Sequence, residues 1–87
     1  MYLENRRVRE ALASVISEIS YRKMLFSLVG DEGRVELYKD LEERALSMVK
    51  VWDKYDVVKV LRSVLNDEFV DDSIKLKFVR LAAVVSE

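Results

Sequence analysis

Apolar residues recur along this chain at alternating spacings of three and four, the repeat that stacks side chains along one face of an α-helix. Val8, Leu12, Val15, Ile19, Phe26 and Val29 form one such stripe, interrupted only by Arg22. Tyr38, Leu41, Ala45, Met48, Trp52 and Tyr55 form a second, Val57, Val58, Leu61, Val64 and Leu65 a third, and Ile74, Phe78, Leu81 and Val85 a fourth. No useful length of chain alternates apolar and polar at period two, so strands are not expected. The pattern predicts helices over roughly 3–29, 33–55, 57–67 and 72–86. Four stripes joined by short connections cover one another best as antiparallel neighbours. The expected architecture is therefore all-α, a small antiparallel bundle forming a single domain over residues 1–87.

Punctuation sets the boundaries. The only two glycines, Gly30 and Gly33, stand three residues apart. Glycine is favoured just past a helix end because it enters the left-handed region without a Cβ penalty, and acids suit the first turn that follows. The first helix should end near Val29 and the second begin between Asp31 and Arg34. Asp56 can cap a helix starting at Val57, and the acidic run from Asn66 to Ser73 offers one helix end and a second N-cap.

The stripes are wider than a thin monomer needs. Between Met24 and Val29 only Ser27 is polar, so the last turns of the first helix are apolar almost all round. Leu37, Leu46, Val49 and Val51 widen the second stripe, and Leu76, Val79, Ala82 and Ala83 the fourth. Exposed contiguous apolar patches mark interfaces, so the expectation is a homodimer. Its expected association surface is Met24, Leu25, Phe26, Leu28, Val29, Leu46, Val49 and Val51. Arg22 raises a separate choice. It could bind an anion or fix a partner's register; alternatively its stem covers the seam while the guanidinium meets Glu18 one turn earlier.

Composition narrows the chemistry. The 87 residues include no His, no Cys and no Pro, which removes the residue types behind most nucleophile dyads, thiolate or imidazole metal sites and redox pairs. No catalytic, cofactor-binding or metal-binding signature stands out. Fifteen basic and 16 acidic residues nearly cancel, so no global field favours nucleic acid, a membrane or a charged partner. The polar N-terminus and the absence of long apolar runs predict a soluble, cytoplasmic protein with no membrane partner. There is no Gln, and Asn occurs only at positions 5 and 66, a depletion that with abundant Glu, Lys and Arg gives a thermophile-like composition.

Two alternatives to a non-enzymatic interaction module can be written from the residues. The first is nucleic-acid binding in the manner of a helix-turn-helix protein, with Arg6, Arg7 and Arg9 on the first helix and Lys75, Lys77 and Arg80 on the last. Against it, residues 1–30 carry five basic and three acidic groups, a net of only +2, and the turn before the last helix is acidic. The second, more remote, is metal-dependent catalysis by carboxylates. Asp40-x-x-Glu43 and Glu68-x-x-Asp71 are similar in spacing to the E-x-x-E and E-x-x-D motifs of MazG-like all-α nucleoside-triphosphate pyrophosphatases. The resemblance covers those four positions, with Asp40 in place of the family's glutamate, and it implies a magnesium site between neighbouring helices. Helical geometry instead puts Glu36, Asp40 and Glu43 on a solvated face near Lys50 and Lys54, and Glu68 and Asp71 in a turn. The acids of that turn, which lack the EF-hand pattern, are expected to cap the last helix.

Overall fold

The computed structural model describes residues 5–50 and 53–86, and its order is α1 (Arg6–Leu28), α2 (Glu32–Lys50), α3 (Lys54–Leu65) and α4 (Asp72–Val85). Among the described residues there is no strand. Helix α1 packs against α2 and α4, and α3 closes the bundle by touching the same two helices. Side-chain bonds set the register. Ser20 reaches Glu42 and Arg22 reaches Tyr38, while Arg22 also reaches Ser73 and Lys77 approaches Glu18, so α1 runs antiparallel to both neighbours.

The expected stripes supply the core. Ile19, Tyr38, Leu41, Ala45, Met48, Val64, Ile74 and Phe78 are fully enclosed, and among the described residues no buried side-chain polar atom lacks a partner. Three positions depart from the pattern. Val29 stands 76% exposed, because α1 has already ended at Leu28. Tyr55 belongs to α3 rather than α2 and is 70% exposed. Val70, in no stripe, is buried in the α3–α4 turn beside an exposed Phe69. Trp52 lies outside the described residues.

Local chemistry explains the boundaries. Asn5 opens α1 by accepting from the amides of Arg7 and Val8. Gly30 closes it with φ 76°, its amide donating to Ser27 O and the Asp31 amide to Phe26 O, the paired bonds of a Schellman turn. The Asp31 carboxylate then accepts from the Arg34 amide and starts α2. The α2–α3 junction differs from expectation. Helix α2 is described as far as Lys50, and the cap of α3 is Asp53, not Asp56: the Asp53 carboxylate accepts from the Asp56 amide. Two aspartates three residues apart compete here, and the first wins because it leaves the second in the acid-favouring first turn.

Asp71 occupies the N-cap of α4, yet its side chain makes no capping bond. It accepts instead from the Tyr38 hydroxyl at 2.7 Å. The expected side-chain cap of the last helix is therefore not made: Asp67 instead braces the turn itself, accepting from the Phe69 amide and from Arg44 of α2, both at 2.9 Å. Among the described residues no helix is long and apolar enough to cross a membrane.

Candidate interaction surface

Three charged residues lie in the last four turns of α1: Glu18, Arg22 and Lys23. All three turn sideways. Lys23 Nζ donates to Glu42 Oε1 at 2.6 Å, and the same carboxylate accepts from Ser20 at 2.7 Å. These bonds, the lysine's first, hold the Glu42 carboxyl below its ordinary pKa. On the opposite flank Arg22 Nε donates to Glu18 at 3.2 Å, while its Nη1 donates to Ser73 Oγ at 2.7 Å and Tyr38 Oη at 3.3 Å. The expected Glu18 pairing is present, and Arg22 also ties α1 to α2 and α4. Burial opposes the Arg22 charge, but Tyr38 and Glu18 outweigh it and raise its pKa. Burial also pushes the Tyr38 phenol up, with Asp71 adding to the rise and Arg22 opposing it.

With those charges drawn to the flanks, the outward face of α1 is uncharged from Ala13 to Leu28. Its first half is small, with Ala13, Ser14 and Ser17 all exposed. Its second half is large: Tyr21 is 54% exposed, Met24 51%, Leu25 41% and Leu28 76%. Helix α2 is charged along most of its exposed face, and α4 exposes Leu76 and Val79 beside Arg80. The exposed positions of α2 include Arg34, Glu36, Lys39, Asp40, Glu43 and Lys50. Beside the α1 face, at the tip of the α1–α2 hairpin, lies an open groove of about 360 Å³ lined by Ser27, Gly30, Glu32, Val35 and Glu36.

Of the eight residues expected to form one association surface, Met24, Leu25, Leu28 and Val29 share the exposed end of α1. Phe26 does not belong with them. It is half-buried, its ring 5.3 Å from that of Tyr38 with the Arg34 guanidinium 5.2 Å above it. Leu46 and Val49 are exposed, but the Ser20–Glu42 and Lys23–Glu42 bonds set them level with the first half of α1, past a polar bridge from Met24. Val51 lies outside the described residues. Sequence reasoning missed Ala13, Ser14 and Ser17, which are neither apolar enough to extend a stripe nor charged enough to mark a solvated face.

The basic residues do not converge. The contacts of Glu18 with Lys77 and Arg22 with Ser73 set Arg6, Arg7 and Arg9 level with or past the C-terminal end of α4, about three to four turns from Lys75. Arg6 is paired with Glu10 at 2.9 Å and Lys77 with Glu18 at 3.9 Å, while Arg80 is exposed. The acidic pairs are likewise separate. Asp40 pairs with Arg44 at 2.8 Å, Asp71 holds Tyr38, and Glu43 and Glu68 are exposed. Among the described residues no group of three acids could hold a metal ion. No protein-family model, curated protein or solved structure matches the chain.

Proposed function

We propose that this chain is a non-enzymatic, cytoplasmic assembly module that forms a homodimer by burying the outer face of α1. The observation that carries the reading is the uncharged exposed surface of that helix from Ala13 to Leu28, ending in four large apolar side chains. Water-exposed helix faces are normally charged, and a continuous apolar strip is stabilised by removal from water at about 25 cal/mol per Å². The sideways ion pairs of Glu18, Arg22 and Lys23 support it, because they leave no buried charge for association to desolvate.

Sedimentation velocity across a dilution series tests the proposal. The wild-type chain is expected to shift from dimer to monomer on dilution. A Met24→Glu, Leu25→Glu chain is expected to stay monomeric with unchanged helix content, since both positions are exposed. A wild-type chain that sediments as a monomer at every concentration, or a double variant that dimerises as well as wild type, overturns the reading.

A further inference from the structure

The exposed face of α1 is asymmetric along its length in two ways that complement each other on reversal. Its N-terminal half is small, with Ala13, Ser14 and Ser17, and its C-terminal half is large, with Tyr21, Met24 and Leu25. Its two ends also carry opposite charge. Residues 5–10 hold three arginines against one glutamate, whereas residues 30–36 at the hairpin tip hold Asp31, Glu32 and Glu36 against Arg34 alone. Parallel pairing of two copies would set large against large and like charge against like. Antiparallel pairing sets Ala13, Ser14 and Ser17 against Leu25, Met24 and Tyr21.

We infer that the partner for this surface is a second copy of the chain, seated antiparallel on α1 about a two-fold axis that crosses the helix between Ser17 and Tyr21. An isologous contact requires each residue to meet its counterpart reflected through the axis, and this register satisfies that requirement in both shape and charge. Ser17 faces the partner's Tyr21, Ser14 the partner's Met24 and Ala13 the partner's Leu25. Leu28 falls at the rim, beside the methylene stem of the partner's Glu10. The basic first turn of each α1 then lies beside the acidic tip of the other copy. There Arg6, paired with Glu10 and with its side chain 83% exposed, can turn toward the groove containing Glu32 and Glu36. The inference rests on the reading of the α1 face as a homodimer surface and adds its direction and register.

Charge reversal tests it. Three chains are compared with wild type by sedimentation velocity, their folding checked by circular dichroism: Arg6→Glu with Arg9→Glu, Glu32→Arg with Glu36→Arg, and all four changes together. All four positions are exposed, so the fold should tolerate the changes. Each two-residue variant is expected to raise the dimer dissociation constant at least tenfold, because the reversed end repels its counterpart at both symmetric sites. The four-residue chain is expected to regain association to within about threefold of wild type. Two-residue variants that associate like wild type, or a four-residue chain that stays weak, overturn the antiparallel pairing. If they do so while Met24→Glu, Leu25→Glu still abolishes association, the α1 face survives as an interface and only the pairing falls. A wild-type chain that is monomeric throughout removes both.

Discussion

Replacing Tyr38 by Phe isolates the junction that joins α1, α2 and α4. The Tyr38 ring is fully enclosed and packs against Phe26, and Phe preserves that volume, so no cavity opens. What is lost is one hydroxyl that donates to Asp71 at 2.7 Å and accepts from Arg22 at 3.3 Å. A hydrogen bond to a charged group is worth about 1.5–3 kcal/mol net. Asp71 and Arg22 are both half-buried and can recover part of their loss from water, so the expected cost is about 2 kcal/mol. For a domain of this size that lowers Tm by about 8–16 °C, given roughly 4–8 °C per kcal/mol. Thermal denaturation followed by circular dichroism measures it at one fixed protein concentration, because self-association would make Tm concentration-dependent. The effect should shrink in an Asp71→Ala background, since the two changes remove the same bond. Tyr55→Phe, at an exposed hydroxyl, should stay within about 0.5 kcal/mol of wild type. A Tyr38→Phe chain equally close to wild type would refute the assignment of stability to this junction.

Three further outcomes are expected. Glu42 and Asp67 have folded-state pKa values below the ordinary 4.5 and 3.8, so their contributions are complete above those values and are lost as pH falls through the lowered ones. Urea midpoints should therefore fall on acidification below about pH 4.5, and Glu42→Gln with Asp67→Asn should flatten that limb; an unchanged limb contradicts the pairing. Gly30→Ala should destabilise by about 1–2 kcal/mol through its left-handed φ although its Cβ would meet nothing within 4 Å, while Gly33→Ala, inside α2 with only ordinary contact to Asp31, should stabilise by about 0.5–1 kcal/mol. Chemical denaturation separates the two, and equal signs would refute the argument. Val70→Ala should cost about 2 kcal/mol and Phe69→Ser almost nothing, despite their adjacency, and Phe69 proving the costlier site would reverse the reading of the turn.

Periodicity made most of the fold legible, because burying one face of a helix imposes its repeat on residue choice. Val8, Leu12, Val15 and Ile19 on α1, and Ile74, Phe78, Leu81 and Val85 on α4, are buried as their spacing requires. The Gly30 boundary was legible because only a residue without Cβ enters that turn cheaply. The α2–α3 junction was not. It has no Gly or Pro, and Asp53 and Asp56 are both good cap residues, separated only by the weak first-turn preference for an acid that Asp56 satisfies when Asp53 caps. Tyr55 was assigned to α2 through the same junction, and Val70 went unmarked because periodicity reads a helix interior and is silent on a turn that folds one side chain inward.

The candidate surface was legible only in its apolar half. Met24, Leu25, Leu28 and Val29 stood out by hydrophobicity, and Phe26 was grouped with them because a stripe does not reveal which side a neighbouring ring will cover. That Arg22 and Lys23 turn away from the outer face depends on Ser73 and Glu42, residues 51 and 19 positions distant, which no local pattern connects.

Asp71 has one carboxylate and two possible employers, and it serves the distant one. The start of α4 therefore forgoes its local cap, and its opening is coupled to a phenol on another helix. Amide exchange at the first turn of α4 should report on the docking of α2, so that detachment of either helix loosens the other. A shortage of local insulation between elements is how so short a chain can melt as one body, without a separately stable half.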